Sequence, residues 1–349
     1  MQWLWLFSLV VATALASATC TVTVKRISNQ PIFNPNESVF DYNYNAAYLP
    51  KAKGGSNGNA GLLVRCQDRV NASNPYNVQP SRIAFASSLK DTPEQSIFGS
   101  ISEHNVLLQP ASNEDALGVE DPRVIYREKD GTYYLLYSCV HGEQGGIYAR
   151  LCLATANSDP TNAEGWTRHG LVFPEIAWSK SGALLVRDDV FDEDHPHILI
   201  WGDSNLTLAT SMNLRNFTNL IHGFLTPRQS PHFDTSLVEA GPMPLRLSNG
   251  HYLFLYNSAR SGYPSPKPGY NLQYNVGFLI LNGDDPTIIE QRSDTPILSP
   301  ELPWEVEGLT PNVVFVEGWY PIPGEVDKFM IYYGAADTVI GAAVVSVDC

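Results

Sequence analysis

The sequence predicts an all-β protein folded as a five-bladed β-propeller. Five times along its 349 residues, a short apolar run of strand-forming residues is followed by a second such run. The pairs recur about every 55 to 75 residues, which is too long for the hairpins of a β-sandwich and suits blades of several strands. No long window shows helical periodicity, which disfavours an α/β barrel and leaves a β-sandwich with insertions as the alternative.

These runs define the expected strands. The first runs are Ala60–Arg65, Tyr133–Ser138, Ile198–Gly202, Tyr252–Asn257 and Phe329–Gly334, and the second runs are Arg82–Ser88, Ile147–Ala156, Leu206–Ser211, Tyr274–Leu281 and Val339–Val347. The inner strands of a propeller converge on a central funnel, where the residues at their ends face one another. We expect these ends to carry Arg65, Ser138, Asp203, Asn257 and Asp337.

The N-terminal segment predicts a cleaved secretory signal. Residues 1–18 contain no charged side chain, and their apolar run from Leu4 to Leu15 is too short to span a bilayer. The run is followed by Ala16-Ser17-Ala18, a small-x-small pattern typical of a signal-peptidase site, while a buried core helix is the alternative interpretation. We therefore expect a signal peptide at 1–18, one propeller domain at 19–349, and a secreted, extracellular protein.

Two further features are typical of an exported protein. Asn-x-Ser/Thr sequons, which are candidate glycosylation sites, occur at Asn36, Asn71, Asn205 and Asn216. The chain has five cysteines, as expected of an oxidising compartment. Cys139 could pair with Cys152, and Cys20 with Cys349 could tie the first and last blades together, which would leave Cys66 over. Spacing alone does not fix this connectivity.

Charge and composition exclude several classes of function. The formal net charge is −14, with 22 Lys and Arg against 36 Asp and Glu, which makes nucleic acid or an anionic membrane an unsuitable partner. Aromatic residues make up 11% of the chain, as suits an aromatic-lined ligand site. No Cys-x-x-Cys or His cluster has the spacing of metal ligands, so neither a metal nor another cofactor is expected.

The segment Gly118–Arg123 is the strongest candidate for chemistry. Its Glu-Asp-Pro-Arg sequence places two carboxylates and a guanidinium just before an apolar strand. Pro122 biases the residue before it toward extended geometry, so we expect Asp121 to be held rigidly at the strand entrance. A rigidly held carboxylate suits a catalytic acid, and Asp121 is our candidate for that role.

Five sequence blocks resemble the signature blocks of glycoside hydrolase family 130. In chain order they are Gly118–Arg123, Trp178–Ala183, Glu239–Pro244, Glu305–Gly308 with Asn312–Phe315, and Tyr332–Thr338. The resemblance covers nearly the whole chain after the N-terminal segment. It implies a five-bladed propeller and an activity on β-mannosides, either as a phosphorylase or as a β-1,2-mannosidase.

The resemblance also implies roles for individual residues. Asp121 would be the acid, with its proton passing through a hydroxyl of the bound sugar, while Asn45 and Asp337 would bind that sugar. Phosphate, the co-substrate of a phosphorylase, would be held by cations, for which the candidates are Arg65, Arg82, Arg123 and Lys180. The candidates for a hydrolytic base are Glu239, Glu305 and Glu307, and His232 is a further candidate contact.

Hydrolysis of β-mannosides with inversion is the expected reaction. Glu239 would repel a phosphate and could hold a water instead, and a sugar phosphate formed outside the cell would be poorly used. A phosphorylase that releases mannose 1-phosphate is the alternative, favoured by the four cations. A non-catalytic glycan-binding propeller and an arabinan- or fructan-cleaving propeller of the furanosidase clan are further alternatives. The oligomeric state is left open.

Overall fold

The structure is a computed structural model that describes residues 19–33, 35–51, 60–71, 73–89, 97–143, 145–192 and 194–349. The predicted signal peptide therefore lies outside the described residues. The described chain forms five antiparallel sheets arranged as blades in a ring. The predicted five-bladed β-propeller is confirmed.

Each blade contains at least four strands, and the first strand of the chain, β1 (Thr21–Arg26), belongs to the last blade. Blade 1 contains β2 (Tyr42–Leu49), β3 (Gly61–Gln67), β4 (Arg82–Ser87) and β5 (Val106–Leu108). Blade 2 contains β6 (Gly118–Arg127), β7 (Thr132–Glu143), β8 (Gly146–Ala156) and β9 (Thr167–Leu171). Blade 3 contains β10 (Gly182–Leu185), β11 (His197–Trp201), β12 (Leu206–Ser211) and β13 (Thr218–Leu225).

Blades 4 and 5 complete the ring. Blade 4 contains β14 (Leu237–Ala240), β15 (Leu245–Arg246), β16 (Tyr252–Ser261), β17 (Leu272–Leu281) and β18 (Ile289–Arg292). Blade 5 contains β19 (Val314–Pro321), β20 (Lys328–Ala335) and β21 (Val339–Asp348), with β1 paired to β21. Among the described residues, the short helical elements are the 3₁₀ turns Pro35–Glu37, Glu103–Asn105, Asn113–Asp115 and Ala163–Gly165 and the helix α1 (Pro303–Val306). No helix in the described part of the chain is long and apolar enough to cross a membrane.

The expected strands are present, but they are not the innermost ones. The two apolar runs of each pair form the second and third strands of a blade, whereas β2, β6, β10, β14 and β19 line the central channel. Middle strands pack against neighbouring blades on both faces, which explains why they are the most apolar segments. The prediction that residues at the ends of all five first runs meet in the central funnel is therefore wrong. Arg65 and Asp337 line a cavity at one end of the central channel, while Ser138 and Asn257 are buried within their blades.

The ring is closed by the two ends of the described chain. β1 pairs antiparallel with β21 from Thr21 opposite Asp348 to Arg26 opposite Ala343. The disulfide Cys20–Cys349 lies at the end of this pairing and links residues 329 positions apart. Such a bridge restricts the unfolded chain most when the loop it closes is long.

The second disulfide and the sequons also have defined positions. Cys139–Cys152 connects β7 to β8, and Cys66 is a buried free cysteine. Both suggested disulfides are therefore present. The sequon asparagines are all exposed: Asn36, Asn71, Asn205 and Asn216. Their glycosylation stays a prediction.

Candidate active site

One end of the central channel holds a polar cavity of about 120 Å³. Its lining comes from all five blades and consists of Asn45, Arg65, Asp121, Lys180, Glu239, Tyr270, Tyr274, Thr310, Val313, Phe315 and Asp337. Charged groups of both signs meet in this small space, as expected of a site that binds a polar ligand and moves a proton.

Asp121 lies within β6, and its backbone differs from the expectation. Its φ is 54°, in the left-handed region, and the pairing register of β6 with β7 shifts between Glu120 and Arg123. The expected extended geometry before Pro122 is therefore wrong, because a β-bulge places the residue. Non-glycine residues rarely adopt this conformation, and where they do it is often at a functional site. Here the bulge turns the carboxylate of Asp121 into the cavity.

The carboxylate of Asp121 is surrounded by donors. Its Oδ1 accepts hydrogen bonds from Arg65 Nη1 at 2.8 Å and from Asn45 Nδ2 at 2.9 Å. Lys180 Nζ lies 3.9 Å from its Oδ2. Burial acts to raise the pKa of Asp121, but the positive charges of Arg65, Lys180 and Arg123 outweigh it and hold the pKa well below its usual range. Asp121 is therefore ionised at neutral pH when the cavity holds no ligand.

Arg65 connects the two carboxylates of the Glu-Asp-Pro-Arg segment. In addition to Asp121, it donates through Nη2 to Glu120 Oε1 at 2.7 Å and through Nε to Ser81 Oγ at 3.0 Å. Ser81 in turn donates to Glu120 Oε1 at 3.0 Å. The guanidinium thus fixes the end of β3 against the bulge of β6.

Glu239 and Lys180 form the opposite wall of the cavity. Lys180 Nζ lies 3.0 Å from Glu239 Oε1, which also accepts a hydrogen bond from Ser181 Oγ at 2.5 Å. Burial raises the pKa of Glu239 despite the nearby Lys180. Burial acts to lower the pKa of Lys180, but the negative charges of Glu239 and Asp121 outweigh this effect, so the ammonium stays charged. One ammonium therefore lies between the two candidate catalytic carboxylates.

Asn45 and Asp337 form the third wall. Asn45 lies in β2 at φ 48°, and its Oδ1 has no hydrogen-bond partner among the described residues although it is buried. A side chain on Gly334 would collide with this Oδ1, so glycine is needed there. Asp337 has φ 50°, and its pKa is raised by burial, against the lowering effects of Arg65 and of a hydrogen bond from Thr310. An unpaired amide oxygen and a carboxylate are suited to binding sugar hydroxyls.

Arg123 does not line the cavity. Its side chain is 1% exposed and donates to three backbone carbonyls: Asp121 O at 3.0 Å, Ala240 O at 2.7 Å and Gly241 O at 2.9 Å. Its Nη2 also lies 3.4 Å from the buried Glu317 Oε1. Arg123 therefore links blades 2, 4 and 5 beneath Asp121 and Glu239, and its donors are directed at protein groups.

Four other predicted site residues lie away from the cavity. Arg82 faces Asp68 and Glu103 at the outside of blade 1, with Nη1 to carboxylate distances of 3.6 and 3.4 Å. Glu305 is buried and accepts hydrogen bonds from Arg26 Nε and Tyr333 Oη, both at 2.8 Å. The remaining two are the exposed Glu307 and the half-buried His232, neither of which lines the cavity.

Sequence reasoning missed several residues of the cavity. Ser181 and Phe315 contribute to the site and lie within two of the sequence blocks, but neither was singled out there, and Thr310 lies outside every block. Ser181 and Asn312 share the left-handed backbone of Asn45 and Asp121, at φ 60° and 59°. Within the described chain, a cluster of three or more His, Cys, Asp or Glu residues suited to a metal ion is not found.

Comparison with known proteins identifies the family. A sequence model of glycoside hydrolase family 130, described as beta-1,4-mannooligosaccharide phosphorylase, matches residues 71–349. The 1,2-beta-oligomannan phosphorylase of Thermoanaerobacter sp. (strain X514) is 28% identical over 325 residues, covering 93% of this chain and 97% of that protein. The beta-1,2-mannobiose phosphorylase of the same strain is 31% identical over 237 residues, covering 66% and 68%.

A solved structure extends the comparison to three dimensions. It was reported with the statement that this family of mannoside phosphorylases contains glycoside hydrolases that target β-1,2 mannosidic linkages in Candida mannan. It superposes with a TM-score of 0.69 at 26% sequence identity, covering 87% of this chain and 84% of that one. The predicted resemblance is confirmed, and the chain belongs to glycoside hydrolase family 130.

Proposed function

We propose that the protein is a β-mannoside phosphorylase, which transfers a mannosyl unit to inorganic phosphate. The named relatives are phosphorylases, and they support this alternative better than the hydrolysis that the sequence predicted. The observation that carries the proposal is Lys180, which lies in the cavity within 3.0 Å of Glu239 and 3.9 Å of Asp121. An ammonium in this position can bind an anion that enters between the two carboxylates.

Glu239 does not prevent phosphate from binding. Because burial raises its pKa, it takes up a proton more readily than an exposed glutamate. In its protonated form, Glu239 would donate a hydrogen bond to a phosphate oxygen instead of repelling it. Lys180 would then be released from Glu239 to contact the anion. The pair is thus able to exchange an internal ion pair for a bound phosphate.

Phosphate binding would also prepare Asp121 for its role as the acid. The positive charges of Arg65 and Lys180 hold the pKa of Asp121 low in the free enzyme. A phosphate dianion beside Lys180 would offset that charge, raise the pKa of Asp121 and favour its protonation. Asp121 would then deliver its proton to the leaving oxygen as the glycosidic carbon–oxygen bond breaks and a new bond forms from phosphate to the anomeric carbon. Mannose 1-phosphate is the product.

Hydrolysis is the second candidate, and Glu239 is the observation that favours it. A buried carboxylate with a raised pKa is a stronger base for water than an exposed one. The solved relative reported together with hydrolases of the family supports the same possibility. In this reaction Glu239 would accept the proton of the attacking water, and Lys180 would orient the carboxylate.

The experiment that separates the two reactions is product analysis with and without phosphate. Purified protein would be given β-1,2- and β-1,4-mannobiose, and mannose and mannose 1-phosphate would be quantified. We expect mannose 1-phosphate only when phosphate is present, and loss of product in Asp121→Asn. Mannose release without phosphate, abolished in Glu239→Gln, would instead establish hydrolysis. Sugar binding without any product would favour the glycan-binding alternative.

We further propose that the protein is exported through the secretory pathway, with residues 1–18 as its signal. The disulfides Cys20–Cys349 and Cys139–Cys152 support export, because such bonds persist in oxidising compartments. Sequencing the N-terminus of the secreted protein would test this proposal, and a start at residue 19 is expected. An intact Met1 would contradict it.

A further inference from the structure

We propose that a groove beside the catalytic cavity binds a further sugar unit of an oligosaccharide substrate. The groove has a volume of about 390 Å³, and its lining includes Trp178, Trp201, Asp203, Asn205, Thr207 and His222. This inference rests on the proposed function, because it concerns how far a glycan extends from the site of bond cleavage. The volume is within the range of ordinary small-molecule sites.

Trp178 provides an aromatic surface at the groove. It is 45% exposed, which is unusual for so large an apolar side chain. Its indole Nε1 donates a hydrogen bond to Asp203 Oδ1 at 2.8 Å, so the ring is held in place. A fixed, exposed indole is suited to stacking on the apolar face of a pyranose ring, and little side-chain freedom would be lost on binding.

Trp201 contributes a buried donor without a partner. It is 6% exposed, and its Nε1 has no hydrogen-bond acceptor among the described residues. Buried indole N–H groups are normally paired. Because Trp201 lines the groove, a sugar bound there would reach this donor only if binding exposes the indole N–H.

The remaining lining is polar. Asp203 and Thr207 offer oxygens, and His222 Nδ1 lies 3.5 Å from Thr207 Oγ1. No lysine or arginine is found among the described residues that line the groove. A neutral polyhydroxylated ligand fits this chemistry, whereas a phosphate or another anion does not.

Backbone hydrogen bonds connect the groove to the catalytic cavity. Gly202, which lines the groove, donates to Ser181 O at 2.9 Å and accepts from Ala240 N at 3.1 Å. Ser181 and Ala240 directly follow Lys180 and Glu239 in the sequence. Burial lowers the pKa of Lys180 and raises that of Glu239, and the nearby charge of Asp203 raises both pKa values. A glycan held in the cavity can therefore continue into the groove on the side of Glu239.

The test compares β-1,2-mannosides of two, three and four units. Their affinities would be measured by calorimetry with Asp121→Asn protein, which is expected to bind without turnover, and with the same protein carrying Trp178→Ala. We expect the third or fourth unit to improve affinity about tenfold in the parent, and Trp178→Ala to abolish that gain while mannobiose affinity is kept. Trp178→Phe, which retains a ring, should keep most of the gain.

Three outcomes would overturn the inference in different ways. If Trp178→Ala weakens all three ligands equally, the residue does not define a separate sugar position. If affinity does not depend on chain length in the parent, the groove holds no sugar. If no mannoside is bound or cleaved by the wild-type protein, the proposed function fails as well. Because Asn205 of a sequon lines the groove, the measurement uses protein from a host without N-glycosylation.

Discussion

Replacing Arg123 by methionine should destabilise the propeller and disturb the catalytic site together. The guanidinium makes three hydrogen bonds to buried carbonyls at 2.7 to 3.0 Å and faces Glu317 at 3.4 Å. A hydrogen bond from a charged group contributes about 1.5 to 3 kcal/mol, and leaving a buried carbonyl without its donor costs about 1 to 3 kcal/mol. Because these contributions overlap, we expect Arg123→Met to lower the free energy of unfolding by about 4 kcal/mol.

Glu317 provides an internal check of this reasoning. Burial raises its pKa well above the usual range, against the lowering effect of Arg123, and its carboxylate oxygens have no hydrogen-bond partner among the described residues. Arg123→Met removes the nearest cation from this acid and leaves its buried oxygens beside an apolar side chain. The double variant Arg123→Met with Glu317→Gln should therefore recover about 1 to 2 kcal/mol relative to the sum of the single variants.

The assay is equilibrium unfolding in urea, accompanied by activity measured where the variant is still folded. Arg82→Met is the matched control, because Arg82 is a partly exposed arginine whose ion pairs lie at the outside of blade 1, and it should cost less than about 1 kcal/mol. Folded Arg123→Met should have a reduced kcat, since its bonds to Asp121 O and Ala240 O position both sides of the cavity. A loss of stability no greater than that of the control, or strict additivity in the double variant, would refute the reasoning.

Two further substitutions test the electrostatics and the packing of the cavity. Lys180→Met removes the cation that lowers the pKa of Glu239, and the pKa of Glu239 should therefore rise. The limb of the pH profile of kcat/KM that reports Glu239 should move to higher pH, and an unchanged profile would exclude this coupling. Gly334→Ala places a methyl group against Asn45 Oδ1, which should displace the amide of Asn45 from Asp121 and lower kcat/KM by about tenfold or more. A kcat/KM equal to that of the wild type would show that the contact between Asn45 and Asp121 is dispensable.

The arrangement of charge explains why the cavity is suited to an exchange of ions. Lys180 lies between Asp121 and Glu239, whose pKa values are shifted in opposite directions, the first by nearby cations and the second by burial. In the free enzyme these shifts favour an ionised Asp121 and make Glu239 the more readily protonated of the two, so Asp121 can act as the acid only after a bound ligand has raised its pKa. Any anion that attracts Lys180 changes both pKa values at once.

The sequence by itself determined the blades and the family, and it suggested both disulfide pairs without fixing their connectivity. Strand propensity and apolar runs are local properties, so the middle strands such as β3, β7 and β20 could be located without a structure. The importance of Asp121 could also be inferred, because its motif is contiguous.

Only the tertiary structure decided which side chains meet. Asn45, Asp121, Glu239 and Asp337 come from four different blades, and local sequence does not encode how the innermost strands face one another across the ring. These strands were also harder to recognise, because β2, β6 and β19 carry polar residues and register shifts that interrupt the apolar pattern. The side chain of Arg123 illustrates the same limit: its motif suggested a ligand contact, but its position after a bulge directs it to backbone carbonyls of another blade.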